Sequence, residues 1–105
     1  MADLDPETFD ETKYVEHFQQ LQRAYKNAFN RMNDQYDSDV VHAIDQQVLA
    51  ESEPFYEGDG EFRVELPDDP VDRIEGVIVD DQKVTKLLEI YVGEIERELQ
   101  RVFGY

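Results

Sequence analysis

The sequence predicts an α+β protein built from two long amphipathic helices, a short helix and a small β-hairpin. Apolar residues recur at intervals of three and four over residues 9–36 and again over 81–103, as on the buried face of a helix. Residues 39–52 repeat this pattern over a shorter length, and residues 61–66 alternate between charged and apolar side chains. A chain of 105 residues supports one modest core, so we expect a single domain over residues 1–105.

The first long helix is predicted over residues 9–36, after a frayed lead at residues 1–8. Its apolar stripe consists of Tyr14, Phe18, Leu21, Tyr25, Ala28, Met32 and Tyr36. The last helix, predicted over 81–103 and capped by Asp80, carries a stripe of similar width. Both stripes have nearly heptad spacing, which favours a homodimer that joins them in a four-helix arrangement.

The second helix is predicted over residues 39–52. Asp37 or Ser38 supplies its N-cap, and Pro54 ends it because proline lacks the backbone N–H that a helix requires.

Two glycines in the sequence Gly58-Asp59-Gly60 predict a tight turn, and the flanking apolar alternation predicts a β-hairpin over residues 55–66. The β-branched run at residues 77–79 predicts a third short strand.

The strong acidity of the chain bears on its environment. Asp and Glu number 26 against 10 Lys and Arg, so the net charge is −16. An acidic disordered tail is the first explanation, but 11% aromatic residues and evenly spread acids argue against it. The second explanation is a folded protein of a very salty cytoplasm, where a Debye length of about 3 Å at molar salt screens the self-repulsion. We adopt the second explanation. Residues 1–6 lack the apolar core of a signal peptide, and no apolar run is long enough to span a membrane, so we expect the protein to be cytoplasmic.

Signatures of catalysis are scarce, and we expect no enzyme, no cofactor and no metal site. The chain has no cysteine and no phosphate-binding glycine loop. His42 and Asp45 stand three residues apart on one helix face, the spacing of a base with an orienting acid or of half a metal site. Acidic neighbours are almost inevitable in this composition, so a metal-dependent enzyme is the weakest of our hypotheses. His17, the other histidine, lies in the first helix.

The clearest anomaly is a stretch without acids. Residues 19–33 contain no Asp or Glu and carry a local charge of +3. In a protein adapted to high salt, a solvent-exposed surface is rich in carboxylates. Their absence therefore predicts that this helix face contacts a partner or another part of the protein. We take as candidate partner-binding residues Arg23, Lys26, Asn27, Asn30 and Arg31. Two interpretations stay open, a docking face for a partner or a pairing with the chain's own acids, in the last helix or across a dimer interface.

Three runs, at residues 23–33, 42–47 and 53–60, resemble a small family of uncharacterised proteins from halophilic archaea. The resemblance covers nearly the whole chain. It implies a halophilic archaeal origin and a cytoplasmic setting, and it brings no activity and no functional residues.

These observations together predict a non-catalytic protein-interaction module, an adaptor or small subunit, that binds a protein partner or a second copy of itself. The alternative is a protein that binds RNA or a phosphate-bearing ligand through the acid-free face. Duplex DNA fits poorly, because the helix at 39–52 contains three acids and no Lys or Arg. We expect no membrane partner.

The charge analysis generates a prediction about stability. Because salt screens the repulsion among carboxylates, we expect the melting temperature to rise steeply with KCl up to molar concentrations. Differential scanning fluorimetry across a KCl series checks this. Equal stability in dilute buffer would contradict the interpretation of the acidity as salt adaptation.

Overall fold

A computed structural model describes residues 4–77 and 79–105. Its helices are α1 (Pro6–Glu16), α2 (Phe18–Gln35), α3 (Ser38–Gln47) and α4 (Asp81–Val102). Two antiparallel strands, β1 (Glu53–Gly58) and β2 (Glu61–Glu65), form the hairpin between α3 and α4. The α+β fold class is therefore confirmed.

The first predicted helix, 9–36, is interrupted at one residue. His17 has φ −118° and ψ 13°, so the chain forms α1 and α2 on either side of it. The apolar periodicity continues through the break, which is why the pattern predicted one helix. The lead at residues 4–8 is also more ordered than predicted, because Asp5 accepts a hydrogen bond from the Thr8 backbone N–H at 3.1 Å and α1 begins at Pro6.

The helix predicted over residues 39–52 is α-helical only as far as Gln47, where α3 ends. After α3 a 3₁₀ turn spans Leu49–Glu51, and the Ser52 hydroxyl donates to the Leu49 carbonyl at 2.7 Å. This bond gives a partner to a carbonyl at the end of the helix and turns the chain toward Pro54. Asp37 is the N-cap of α3, as one of our two alternatives predicted.

The hairpin turns at Asp59 and Gly60, whose φ angles of 55° and 78° are both positive, as a type I′ turn requires. Alternate side chains of β2, Phe62 and Val64, are buried. The predicted third strand is not present in the described part of residues 77–79: Val77 and Val79 have no strand structure, and Ile78 lies outside the described residues.

One hydrophobic core joins the helices to the hairpin. It includes Ala24, Ala28 and Met32 from α2, and Ile95 and Leu99 from α4, all nearly inaccessible to solvent. The small alanines let α2 approach α4 closely, and this pair has the most extensive contact in the molecule. Among residues 4–77 and 79–105, no helix is both long and apolar enough to cross a membrane.

A buried lysine fastens α1 to the hairpin. Lys13 is 1% exposed, and its ammonium donates to the Pro54 carbonyl at 2.8 Å and to an Asp10 carboxylate oxygen at 2.9 Å. A Glu53 oxygen lies 2.7 Å from Nζ, and the Phe55 ring centroid is 4.0 Å away. Burial opposes the charge, but the two carboxylates outweigh it, and the pKa of Lys13 lies above its usual value. The stabilisation is therefore complete at neutral pH and disappears only as pH rises through that raised pKa.

We predict that Lys13→Ala lowers the free energy of unfolding by about 2–3 kcal/mol, because the Pro54 carbonyl loses its donor and the cation leaves a gap beside Phe55. The two carboxylates are half-exposed, so water compensates part of the loss. Lys26→Ala is the matched control; it changes the same charge at an exposed position, and we expect an effect within about 0.5 kcal/mol. Urea denaturation at constant KCl measures both. Equal effects would show that Lys13 does not fasten α1.

Candidate interaction surface

From residue 19 to residue 30 the exposed side of α2 carries no acid. We define the α2 face by its exposed residues Gln19, Gln22, Arg23, Lys26 and Asn30. Each of them lies three or four residues from another member, so they share one side of the helix. Neither Arg23 nor Lys26 forms an ion pair with any residue of 4–77 or 79–105. The α2 face thus offers two uncompensated cations on a chain of net charge −16.

The other two candidate residues face inward. Asn27 donates a hydrogen bond from Nδ2 to Glu98 at 3.1 Å. Arg31 donates to Glu94 at 3.0 Å, and its second terminal nitrogen lies 3.4 Å from Glu98. For Asn27 and Arg31 the structure therefore fits the internal interpretation, a pairing with acids of the last helix. They hold α2 against α4.

Glu98 is the centre of this contact. Its side chain is 1% exposed, and Oε2 has no hydrogen-bond partner in the described structure, although guanidinium nitrogens of Arg31 and Arg101 lie 3.4 and 3.6 Å away. A carboxylate so far removed from water needs nearby cations to offset its lost hydration. Arg31 therefore has a structural role that excludes it from a free docking surface.

An exposed apolar cluster adjoins the α2 face where α1 meets α2. Tyr14, Val15 and Phe18, which we call the junction patch, are 55%, 86% and 48% exposed. The apolar stripe of the first predicted helix places Tyr14 and Phe18 in the core. This prediction is wrong, because α1 packs against the hairpin whereas α2 packs against α4. Val15 and Phe18 share a shallow cleft with Arg23 and with one exposed acid, Glu16. The apolar and basic parts therefore form one surface.

The tyrosines near this surface do not titrate in the physiological range. Tyr25 lies beside the α2 face, where it shares a hydrogen bond of 3.1 Å with Ser52, and burial raises its pKa to about 12. Burial also raises the pKa of Tyr14. Both phenols are therefore neutral at physiological pH, and the exposed Tyr14 offers its ring and hydroxyl to a neighbour.

The histidines are placed for packing. The His42 ring meets the Phe29 ring edge-on at 4.9 Å, whereas Asp45 accepts a hydrogen bond from the Tyr91 hydroxyl at 3.3 Å. Asp45 is thus bound to Tyr91 and does not orient the imidazole. The His17 ring stacks near Phe9 at 5.8 Å. In the part of the chain that the structure describes, no three His, Asp or Glu side chains are grouped to hold a metal ion.

The fold and this surface define a small helical α+β protein with an exposed, acid-free helix face. The chain belongs to the family of unknown function DUF5783, whose model matches residues 1–105. No curated protein and no solved structure matches the chain.

The different roles of the two arginines lead to a prediction. Arg31→Ala removes a cation from the buried Glu98 and should lower the free energy of unfolding by about 2 kcal/mol, since Arg101 compensates only partly. Arg23→Ala, on the exposed face, should change it by no more than about 0.5 kcal/mol. Adding Glu98→Gln to Arg31→Ala should restore part of the loss, because the amide needs no counterion. Denaturant unfolding of the four proteins, wild type included, checks this; equal losses for the two arginines would contradict it.

Proposed function

We propose that this protein is a non-catalytic interaction module, an adaptor or small subunit, that binds a protein partner through the α2 face and the junction patch. One observation carries the proposal. Arg23 and Lys26 are exposed and without ion pairs among the described residues, on an acid-free face that continues into exposed Tyr14, Val15 and Phe18.

The composition of this surface supports a protein partner. Aromatic residues and arginine are enriched at protein–protein interfaces, where rings supply buried area and guanidinium groups bind carboxylates. Apolar side chains exposed together more often mark an interaction site than those scattered singly. The surface offers both an apolar centre and a basic flank, so the partner that it fits presents apolar side chains next to carboxylates.

RNA is the second candidate, and the structure makes it weaker. Aromatic rings beside cations are able to stack on bases. However, Arg31 is engaged with Glu94 and Glu98, which leaves Arg23 and Lys26 as the cations of the surface. Two cations neutralise few phosphates, and a chain of net charge −16 repels the remainder of a nucleic acid.

We further propose that the module works in the cytoplasm of a halophilic archaeon. The net charge of −16 supports this setting, because carboxylates keep a protein surface hydrated and their repulsion is screened where salt is molar.

The test is an affinity capture from a halophilic host extract at native salt, with and without nuclease, read by quantitative mass spectrometry. Arg23→Glu with Lys26→Glu should remove a protein that the wild type retains, whether a second copy or another chain. Lys86→Glu is the control; it reverses an exposed cation of α4 that has no ion pair among the described residues, and it should leave capture unchanged. Circular dichroism confirms that both variants fold.

Two outcomes would overturn the proposal. One is a capture that the Arg23 and Lys26 reversals leave intact. The other is a partner that nuclease removes, which would favour RNA.

A further inference from the structure

One oxygen of the buried Glu98 carboxylate lacks a hydrogen bond. Its Oε1 accepts from the Asn27 amide at 3.1 Å, but Oε2 accepts no hydrogen bond from any described residue. The guanidinium nitrogens of Arg31 and Arg101 lie 3.4 and 3.6 Å from Oε2, beyond the roughly 2.7–3.2 Å of an N–H···O bond. A buried acceptor without a donor is costly, and such an atom indicates that a further group binds beside it.

A second glutamate of α4 provides the comparison. Glu94 lies one turn before Glu98 and belongs to the same cluster of charges. Both of its oxygens accept hydrogen bonds, one from Arg31 at 3.0 Å and the other from Arg97 at 2.6 Å. The cluster therefore satisfies Glu94 completely and leaves the deeper carboxylate of Glu98 with one open position.

Glu98 lines a shallow groove between α2 and α4, which we call the α2–α4 groove. The groove measures about 380 Å³, within the range of roughly 300–1,000 Å³ that is usual for small-molecule sites. Its charged residues balance, because two cations stand against two acids. These four are Arg31, Arg101, Asp34 and Glu98, and the rest of the lining consists of the amides Asn27, Asn30 and Gln35.

The surroundings of Oε2 select a neutral hydroxyl group. The missing partner has to donate a hydrogen bond to the carboxylate and tolerate two guanidinium groups nearby. An ammonium group donates but is repelled by the guanidinium groups, and an anion is repelled by the carboxylate. A hydroxyl group donates to the carboxylate and accepts from a guanidinium at the same time. The amides of the lining also both donate and accept, so they suit further hydroxyl groups of the same ligand.

Arg101 is the side chain that gives access to this position. Oε2 is closed off from solvent, so a ligand reaches it only when a neighbouring side chain moves. Arg31 is held by its hydrogen bond to Glu94, whereas Arg101 is mostly exposed and forms no hydrogen bond to Glu98. Displacement of Arg101 therefore breaks only a long ionic contact, and its guanidinium stays close enough to donate to the incoming hydroxyl.

We propose that the α2–α4 groove binds a neutral polyhydroxylated ligand of monosaccharide size, with one hydroxyl group donating to Glu98 Oε2 and accepting from Arg101. This site goes beyond the proposed function, because it uses neither Arg23 nor Lys26. The groove is shallow and open, so we expect affinity in the millimolar range.

The test is an NMR titration of the ¹⁵N-labelled protein with glucose at constant molar KCl. The side-chain amide signals of Asn27, Asn30 and Gln35 should shift and saturate, because these groups line the groove. Fully O-methylated glucose is the matched control ligand. Its oxygens accept but do not donate hydrogen bonds, so it should cause no saturable shift at these signals.

Two variants locate the contact. Glu98→Gln should weaken glucose binding about tenfold, because an amide has one acceptor oxygen and Asn27 already occupies it. Glu94→Gln makes the same substitution in the same cluster, at a carboxylate whose two oxygens both have partners. It should leave glucose binding nearly unchanged. Circular dichroism confirms that both variants fold.

Three results would overturn the inference. The first is a set of shifts that grow linearly with glucose and never saturate, which would mean that water alone occupies the position beside Oε2. The second is equal binding of the methylated sugar, and the third is wild-type affinity in Glu98→Gln. None of them bears on the proposed function, since the capture experiment depends on Arg23 and Lys26.

Discussion

The rotation of α2 about its own axis determines what the protein can present to a partner. Ala24 and Ala28 are completely buried, and such small side chains allow the close packing of α2 on α4. With that side fixed inward, Asn27 and Arg31 fall beside Glu98, and Arg23 and Lys26 point to solvent. A rotation by one residue, about 100°, would bury a charge and expose an alanine. Core packing therefore divides one basic segment into an internal half and an external half.

Two cations in contact with buried groups show how a strongly acidic chain uses its few basic residues. Lys13 attaches α1 to the hairpin, and Arg31 holds α2 to α4 through Glu98. In both places a cation satisfies more than one acceptor in surroundings where water is scarce, which makes its loss costly. The chain has 10 Lys and Arg, and two of them bind acceptors within the fold, which makes the unpaired Arg23 and Lys26 more informative.

The sequence pattern predicted the fold class, the hairpin and α4 with accuracy, because helical and strand periodicities are local properties of the chain. It missed the break at His17, since the apolar spacing passes through the break unchanged while the packing partner changes from the hairpin to α4. It did not predict the burial of Glu98, because burial of a single acid depends on the tertiary approach of Arg31. For Lys13 the sequence contains one indication of a structural role, because it is the only Lys or Arg before Arg23 in a strongly acidic segment.

For the candidate surface, the acid-free stretch indicated α2 but not the division of its basic residues between α4 and solvent. Composition alone does not distinguish Arg23 from Arg31, because both lie in the same run and only the placement of α4 separates them. The junction patch was missed for the opposite reason. Aromatic residues at helical spacing indicate a core, and Tyr14 and Phe18 are exposed only because α1 and α2 pack against different elements.

Salt reconciles the acidity of the chain with the proposed binding of a protein partner. In dilute buffer, where the Debye length exceeds about 10 Å, two chains of charge −16 repel each other as whole bodies. At molar salt that length falls to about 3 Å, so the distant carboxylates no longer oppose the approach. Groups in direct contact keep more of their interaction, because little solvent or salt lies between them. The proposed surface, with its exposed apolar side chains beside Arg23 and Lys26, would then determine which proteins associate, although the chain as a whole is strongly acidic.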